Sequence, residues 1–405
     1  MNKLFYIFGS IVLIFILLLL FIRIKYKFWA LQPVFHYYDL HYWFANVGII
    51  RHELPKPNRY TNFKEIRTYA FDKVPEDNIR EMTTLVQLNY FREKDNVYNP
   101  QKENIVPYFE GHNSPSYWSF FWQPDVLINV KTNDTIDSKL LVGVMTSRPL
   151  HVTISKTNKS ESDKFDVFYV DYLCVKKGFR KKNIAPQLIQ THEYNQCHMN
   201  PNICVSLFKR EEEITGIVPL TVYKTYCFDM KNWILEPEQL HSKVNLLVGD
   251  KQNLYYLYNF INESKNKWDI TIIPEISNLM KLIETNNMFI SMLLIEGNIE
   301  ALYVFKKTCT NIEKDKEAIS CIASMNGNTL KTKDFIQGFK IALWNILEKT
   351  KQHFKYLVIE DVSDNVPIIN NIKVKTYPLS HSPTAYFFYN FVYSPFKNDK
   401  VFIIN

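Results

Sequence analysis

The sequence predicts an α/β protein built from two similar halves that follow an N-terminal transmembrane helix. Three observations lead to this prediction. The chain of 405 residues is long enough for two ordinary domains. Short apolar runs typical of buried strands are interspersed with segments of helical period, and the second half repeats the plan of the first. An uncharged apolar stretch stands close to the first residue.

The composition narrows the class of protein. Hydrophobic residues make up 46% of the chain and aromatic residues 15%, enough for large cores, and the net charge of +7 is spread along the sequence. We therefore expect no nucleic-acid partner. The six cysteines form no CxxC pair, which favours reduced thiols. The cluster of His192, Cys197, His198 and Cys204 lacks zinc-finger spacing, so no metal site is expected.

The first element is an apolar helix over Leu4–Ile22. Its length of about 28 Å comes close to the hydrocarbon thickness of a bilayer. Neither the shorter apolar region nor the small-residue cleavage site of a signal peptide is present. Arg23, Lys25 and Lys27 follow this stretch, against Lys3 before it. The charge bias predicts a single-pass membrane protein with the rest of the chain in the cytosol.

The next elements lead toward the middle of the chain. Tyr26–Val34, Y-K-F-W-A-L-Q-P-V, is typical of an aromatic anchor at the membrane interface. Apolar residues at helical spacing predict a helix over Pro75–Tyr90, capped by Asp77 or Asn78. Strands are predicted over residues 127–130 and 140–145.

The most informative stretch runs from Val170 to Thr191. A buried strand is predicted over Val170–Val175, and a helix begins at Ala185-Pro186, where proline suits the first turn. The basic loop between them contains Lys176, Lys177, Arg180, Lys181 and Lys182. A strand, a cationic loop and a helix N-terminus together favour an anion, and a pyrophosphate suits this site best. On spacing alone, a solvated basic turn is equally compatible with the pattern.

The remaining elements complete the second half. Strands are predicted over 203–208, 288–295, 301–305, 356–360 and 385–391, a helix over 335–347, and a polar link over 231–265. The apolar end, Val401–Asn405, is typical of a packed final strand. These boundaries give an anchor over 1–25, a first half over 26–235 and a second half over 236–405.

Two of these stretches resemble one protein family. The segment D-Y-L-C-V-K-K-G-F-R-K-K-N-I-A-P-Q-L-I resembles, without a gap, the signature N-F-L-C-V-x-K-x-L-R-x-K-R-x-A-P-x-L-I of eukaryotic N-myristoyltransferases. The segment Y-K-F-W-A-L-Q-P-V is similar to the family's Y-x-F-W-x-T-Q-P-V. The resemblance implies two tandem acetyltransferase-like (GNAT) halves, the first binding acyl-CoA and the second binding peptide.

The resemblance also implies a set of acyl-CoA-binding residues. The backbone amides of Tyr172 and Leu173 correspond to the family's oxyanion hole for the thioester carbonyl. The residues implied to bind acyl-CoA are Lys27, Phe28, Trp29, Tyr172, Leu173, Cys174, Val175, Arg180, Lys181, Lys182, Asn183, Ile184 and Ala185. Asn183 replaces a family arginine and Lys181 a small residue, so one cation is lost and one gained.

Cys174 has two interpretations. It is a candidate for a nucleophile that carries the acyl group. A cysteine inside an apolar run is more often an inert core thiol, and we favour that interpretation.

The acceptor side resembles the family less closely. N-Y-F-R-E-K-D-N is similar to the family's acidic loop N-Y-V-E-D-D-D-N, which implies Glu93 and Asp95 as peptide contacts. Thr215 falls near a family threonine, and V-I-E-D-V-S-D-N keeps Asp361. The family's glycine-rich turn is replaced by Leu379–Pro383, which removes conformational freedom.

The last residue carries a further implication. In the family the terminal carboxylate acts as general base on the substrate amine, and Asn405 stands at the equivalent distance after Y-N-F. From the residues alone, a packed final strand is the alternative.

The implied activity is transfer of a long acyl group, myristoyl, from myristoyl-CoA as co-substrate to the N-terminal glycine amine of a protein. No permanently bound cofactor is expected, and the expected partners are acyl-CoA, glycine-starting peptides and a membrane. The alternative is a membrane-anchored acyl-CoA or lipopeptide-binding protein that has lost catalysis. The short distance from Ile22 to Trp29 places the acyl-CoA site near the bilayer. The site then either takes acyl-CoA from the adjacent leaflet and releases product into it, or the helix only tethers a domain that is indifferent to lipid.

Overall fold

The computed structural model describes residues 2–44, 48–90, 96–128, 135–155, 162–211, 216–231, 233, 236–240, 243–313, 316–327, 330–349 and 354–405. The helices are α1 (Asn2–Lys25), α2 (Leu40–Phe44), α3 (Glu76–Asn89), α4 (Lys102–Ile105), α5 (Ile184–Met199), α6 (Leu254–Glu263), α7 (Ile276–Glu284), α8 (Thr332–Lys349) and α9 (Asn365–Lys373).

The strands of the first half are β1 (Gly48–Ile49), β2 (Ile66–Ala70), β3 (Val97–Tyr98), β4 (Tyr117–Ile128), β5 (Thr135–Ile154), β6 (Asp163–Val175), β7 (Ser206–Glu211) and β8 (Thr221–Asp229). Those that follow are β9 (Val244–Val248), β10 (Ile270–Ile273), β11 (Met288–Ile295), β12 (Asn298–Glu313), β13 (Lys316–Asn326), β14 (Phe354–Glu360), β15 (Ser380–Tyr389), β16 (Phe391–Val392) and β17 (Val401–Ile403).

Most of the described strands form one continuous sheet in the order β17-β10-β5-β6-β7-β15-β8-β14-β13-β12-β11-β9, with β4 beside β5. Two parallel pairs, one in each half, hold together over only part of their length. β6 pairs with β7 over Phe168–Val170 and then continues to Val175 without β7, still paired with β5 on its other edge. β13 pairs with β14 as far as Cys321 and continues to Asn326. Each half thus contains a gap between two parallel strands, which agrees with two similar halves.

The predicted division at residue 235/236 does not coincide with a break in the sheet. β8, from the first half, pairs with β14 and β15 of the second. β10, from the second half, pairs with β5 of the first. The division therefore stays a prediction about sequence, while the backbone hydrogen bonds join the two halves.

The predicted link over 231–265 is wrong in its second part. β9 pairs with β11, and α6 buries Leu254, Leu257, Phe260 and Ile261 in the largest hydrophobic core. This amphipathic spacing was hidden by the polar residues around it.

Several predicted boundaries also need correction. α3 begins at Glu76 with Pro75 as the extended cap residue, rather than at Asp77 or Asn78, because Glu76 and Asp77 suit the first turn of the helix dipole. The strand expected at 127–130 is the end of the longer β4, and 129–130 lie outside the described residues. The strand expected at 385–391 is divided at Asn390, whose φ of 65° is left-handed.

α1 stands apart from the rest of the fold. Residues Tyr6–Lys25 are long and apolar enough to cross a membrane, and none of this window is buried inside the protein. A helix of this kind near the N-terminus is compatible with a membrane span or a signal sequence. Its last turn carries Arg23 and Lys25.

Candidate active site

The basic loop lies between the end of β6 and the start of α5. A 3₁₀ turn over Lys177–Phe179 follows β6, and Lys181 and Asn183 then adopt left-handed conformations with φ of 63° and 59°. Such turns direct successive backbone amides toward one side, which favours an anion. The loop ends at the N-terminus of the 16-residue α5, and the dipole of this helix also favours an anion there.

Close packing sets the position of α5 on the sheet. A Cβ at Gly143 of β5 would lie 2.8 Å from Leu188 Cδ1 and 3.3 Å from Ile184 Cγ2. Glycine at this position therefore allows the first turns of α5 to approach the sheet. Ile184 is buried, whereas Ala185 is half-buried beside it.

The loop cations differ in their surroundings. Arg180 Nε donates to Val175 O at 3.2 Å and Nη2 donates to Asn89 O at 2.6 Å, so this guanidinium fastens the loop to α3. Lys181 and Lys182 are exposed, and Lys182 Nζ lies 4.9 Å from the centre of the Phe179 ring. The two lysines are thus better placed than Arg180 to meet a phosphate group.

The backbone amide of Tyr172 already has a partner. It donates to Thr146 Oγ1 at 3.1 Å, at a place where the register between β5 and β6 shifts. A rotatable hydroxyl is a partner that can turn away. The amide can therefore donate a hydrogen bond to a thioester oxygen only when the Thr146 hydroxyl rotates away from it.

The side chain of Tyr172 lies in a small aromatic cluster. Its hydroxyl is 2.7 Å from that of Tyr98, and the Tyr90 ring packs edge-on at 5.6 Å. Burial raises the pKa of Tyr172 and of Tyr98 well above their ordinary values. Both groups are neutral phenols at physiological pH, so they serve packing and hydrogen bonding.

The Lys27–Trp29 motif lies beside β7 in the same region. Trp29 stacks on Phe208 of β7 at 6.0 Å, and Phe208 is the residue at which β6 and β7 end their pairing. Phe28 is buried and packs edge-on against Tyr60 at 5.1 Å, while Lys27 is exposed. The two sequence motifs therefore converge where β6 separates from β7.

Cys174 is a core thiol in this fold. Its side chain is buried among apolar residues of the first half. Burial raises the pKa of the Cys174 thiol to about 12, which leaves almost no thiolate at neutral pH. Val175 ends the same strand and is also buried.

Asn405 lies in the interior, between the two halves. β17 runs parallel to β10, and Asn405 is only 4% exposed. Its side-chain Nδ2 donates to the Tyr169 hydroxyl at 2.7 Å, and Lys306 Nζ donates to its main-chain oxygen at 3.2 Å. Tyr169 belongs to β6 and Lys306 to β12, so both halves hold the last residue.

A buried network of charges surrounds this position. Arg148 Nε donates to both carboxylate oxygens of Asp171, at 3.2 and 3.0 Å. Lys209 Nζ lies 2.8 Å from Glu360. Burial lowers the pKa of Lys306 to about 8, reinforced by the nearby Arg148 charge and opposed by Asp171. Within the described part of the chain, Nη1 and Nη2 of Arg148 have no hydrogen-bond partner.

Lys306, Arg148 and Glu360 were not among the site residues predicted from the sequence. The available signal was the placement of charged residues inside apolar strand runs, as in Phe305-Lys306 and the end of β14. Such residues are rarely buried unless paired.

The predicted acceptor residues are only partly described. Glu93, Asp95 and Thr215 lie outside the described residues. Asp361 follows β14, half-buried, and its amide donates to Lys224 O at 2.8 Å. Burial raises the pKa of Asp361, against the influence of Lys373 and Lys224. The neighbouring Glu360, not Asp361, contacts the buried charges.

The region that replaces the family's glycine-rich turn is a strand. Ser380–Pro383 pair with Cys227–Lys224 as the beginning of β15. This segment is therefore part of the sheet.

Comparison with solved structures identifies the fold. The chain is similar to Saccharomyces cerevisiae N-myristoyltransferase with bound myristoyl-CoA, with a TM-score of 0.66, 14% identity, and coverage of 92% of this chain and 94% of that one. It is also similar to a tandem GNAT protein from the clavulanic acid biosynthesis pathway, with a TM-score of 0.52, 10% identity, and coverage of 80% and 97%. The protein thus has the tandem acetyltransferase-like fold that the motifs implied.

Sequence comparisons show similarity to one family. Residues 55–214 match the profile "Myristoyl-CoA:protein N-myristoyltransferase, N-terminal domain". A protein of Amsacta moorei entomopoxvirus, assigned by name to the glycylpeptide N-tetradecanoyltransferases, is 24% identical over 57% of this chain and 80% of its own length. The Plasmodium falciparum glycylpeptide N-tetradecanoyltransferase is 28% identical over 42% of this chain and 38% of its own. The chain is thus similar to the N-myristoyltransferases, and the profile match lies within its first half.

Proposed function

We propose that this protein transfers a myristoyl group from myristoyl-CoA to the N-terminal glycine amine of a protein. One observation carries the proposal: Trp29, the Tyr172–Leu173 backbone and the start of α5 surround the gap between β6 and β7. The buried Asn405 lies against Tyr169, on the strand that borders this gap.

The coenzyme is held by the loop and by the aromatic motif. Lys181, Lys182 and the backbone amides from Asn183 to Ala185 bind the pyrophosphate, because exposed ammonium groups and a helix N-terminus attract the same anion. Trp29 packs on Phe208 of β7, a strand that borders the gap, with Phe28 against it and Lys27 exposed beside them. Arg180 acts indirectly, since it holds the loop on α3.

The backbone activates the thioester. The amides of Tyr172 and Leu173 donate to the carbonyl oxygen as negative charge develops on it, after the Thr146 hydroxyl turns away. Removing one such donor typically costs about 3 kcal/mol of transition-state stabilisation. The amine nitrogen forms a bond to the carbonyl carbon, the carbon–sulfur bond breaks, and coenzyme A leaves as its thiol with the proton that the attacking nitrogen releases.

A carboxylate at Asn405 takes the proton from the glycine ammonium, whose ordinary pKa of about 8 requires only a weak base. Lys306 and Tyr169 hold that residue in place. Glu93, Asp95, Thr215 and Asp361 remain the proposed contacts of the acceptor peptide.

α1 is proposed to span a membrane once, with residues 26–235 and 236–405 in the cytosol. The excess of Arg23, Lys25 and Lys27 over Lys3 supports this topology. Asn262 of the N-E-S sequon is exposed on α6, and the other sequons, at Asn133 and Asn158, lie outside the described residues. A glycan found on Asn262 after expression in a eukaryotic host would contradict the proposed topology.

A single-turnover assay with myristoyl-CoA and a panel of glycine-starting peptides tests the activity. We expect acylated product with wild type and a weaker CoA affinity in the Lys181→Ala/Lys182→Ala variant. The control variant, Lys355→Ala/Lys397→Ala, removes two exposed lysines away from the loop. Tight myristoyl-CoA binding without product for any peptide would favour the alternative, a binding protein without catalysis.

A further inference from the structure

An aromatic face lies close in sequence to the end of α1. The face consists of Tyr37, Leu40, Trp43 and Phe44, on α2 and the turn before it, and we call it the aromatic shelf. Phe44 is 88% exposed and Leu40 57%, and Tyr37 and Trp43 are also exposed. Neighbouring large apolar side chains open to solvent on a folded domain indicate a contact surface.

The shelf is held by a folded base. The buried Phe35 ring packs against Trp43 at 4.9 Å and against Tyr42 at 5.9 Å. Trp43 Nε1 donates to Tyr37 O at 3.3 Å. The outward side chains therefore have defined positions on the domain.

The chain between α1 and the shelf is also fixed to the domain. Phe28 and Val34 are buried, and His36 forms a β-bridge with Ile217. The shelf thus lies a short, ordered segment away from the end of α1. It cannot be far from any bilayer that α1 crosses.

Cations accompany this segment. Arg51 Nη2 donates to Leu31 O at 3.0 Å and Arg59 Nη2 contacts Lys27 O at 3.5 Å, both at exposed positions. Arg23, Lys25 and Lys27 add three more positive charges at the end of α1. The nearby acids are already engaged: Asp39 accepts from the His36 amide at 2.8 Å, and Glu53 pairs with Lys56 at 3.4 Å.

We propose that the aromatic shelf and these cations dock the domain onto the anionic surface of the membrane that α1 crosses. Tyr and Trp favour the headgroup level, and Lys and Arg favour anionic lipid. The partner is a lipid surface because the shelf is continuous with the candidate span and its flanking charge is positive. The inference rests on the proposed membrane span and goes beyond the proposed acyl transfer.

The docking has a consequence for the acyl-CoA site. Phe28 and Trp29 lie between α1 and the shelf along the chain, so two membrane contacts flank the motif. The domain is then fixed in orientation with this motif near the headgroups, rather than swinging on a tether.

Tryptophan quenching in lipid discs tests the proposal on the full chain. The protein is reconstituted into nanodiscs of phosphatidylcholine and phosphatidylserine, with or without acyl chains brominated near the headgroup. We expect bromination to quench part of the wild-type emission, and Trp43→Phe to lose a measurable share of that quenching. The control variant is Trp344→Phe, on α8 of the second half. We expect the brominated lipid to quench its tryptophan emission by the same amount as in wild type.

A second variant separates the shelf from the span. Leu40→Ser/Phe44→Ser is expected to stay in the discs, by co-elution, while the quenching assigned to Trp43 falls. Equal bromine quenching of wild type and Trp43→Phe would overturn the proposal, as would docking of a second copy that protects Trp43 without lipid. Failure of the full chain to co-elute with discs would overturn the membrane span and the shelf proposal together, without affecting the acyl-transfer assay.

Discussion

At the scale of single residues, Lys306 has the most direct chemical relation to Asn405. Its ammonium group donates to the Asn405 main-chain oxygen at 3.2 Å in a buried site. An ammonium beside a carboxylate makes that carboxylate a weaker base. Because burial lowers the pKa of Lys306 to about 8, this restraint is expected to weaken within an accessible pH range.

We predict that turnover in wild type rises as pH increases through about 8, and that Lys306→Met shows a smaller rise, because only deprotonation of the substrate amine then remains. The Met variant keeps the volume of the side chain but carries no charge. Lys306→Arg, which stays charged, is expected to remain slow over the whole range. Single-turnover rates against pH provide the measurement, and superimposable profiles for wild type and Lys306→Met would contradict the idea.

The same residue affects stability in a defined direction. Between pH 8 and 10.5 the unfolded chain keeps the Lys306 proton while the folded protein loses it. Since the unfolded state then binds more protons, the free energy of unfolding rises with pH across this window. Denaturant unfolding of Lys306→Met is expected to lack this rise.

Tyr172 provides a second test at the residue scale. Tyr172→Phe leaves the Tyr98 hydroxyl without its buried partner, which costs about 1–3 kcal/mol of folding stability. Turnover should largely survive, because the proposed oxyanion contact comes from the backbone. The double variant Tyr98→Phe/Tyr172→Phe is expected to regain part of the stability. A large loss of turnover in Tyr172→Phe at unchanged acyl-CoA affinity would assign the hydroxyl a chemical role.

At the scale of elements, α5 links the basic loop to a set of buried polar contacts. His192 lies 2.8 Å from both Ser119 Oγ and Ser147 Oγ. Glu193 accepts from Gln196 Nε2 at 2.6 Å and from Ser206 Oγ at 3.2 Å. These hydrogen bonds hold the middle of the helix, and Gly143 allows the close approach of its first turns.

Glu193 makes the stability of this element dependent on pH. Burial raises the pKa of Glu193 from 4.5 to about 7. Between these values the folded protein binds a proton that the unfolded chain has lost, so stability falls as pH increases from 4.5 to 7. The change amounts to at most about 3 kcal/mol. Glu193→Gln, measured by denaturant unfolding at several pH values, is expected to flatten this slope, and an unchanged slope would point to other groups.

At the scale of the whole molecule, the last strand joins the two halves. β17 pairs with β10, which in turn pairs with β5 of the first half. Asn405 then contacts Tyr169 and Lys306, from different halves. The position of the last residue consequently depends on the complete fold.

We predict that one or two residues appended after Asn405 reduce turnover strongly while acyl-CoA affinity changes little. The extension displaces the carboxylate by several ångströms from a site where Asn405 is buried. Asn405→Gln, which keeps the carboxylate at the end of the chain, serves as the matched control. Thermal unfolding of both variants separates lost chemistry from lost folding, and full turnover in a stable extended protein would exclude the proposed base.

The sequence by itself determined the elements whose structure depends only on residues close to one another in the chain. The apolar run of β6, the cationic loop, the start of α5 and the long apolar α1 are visible because strand, turn and helix preferences act over a few positions. The tandem acetyltransferase-like fold followed from motif resemblance, since composition and periodicity stop at α/β.

Only the tertiary structure decided how the functional groups are shared. In the folded chain, Arg180 donates to the carbonyl of Asn89, 91 positions away, and the Tyr172 amide donates to the hydroxyl of Thr146. The fold brought Lys306 to Asn405 across 99 positions and Tyr169 to Asn405 across 236. Contacts of this range arise from strand order and from the pairing of buried charges. Neither leaves a periodic signal in the sequence. A charge or amide must be paired only once it is buried, and its burial depends on residues that are distant in the chain.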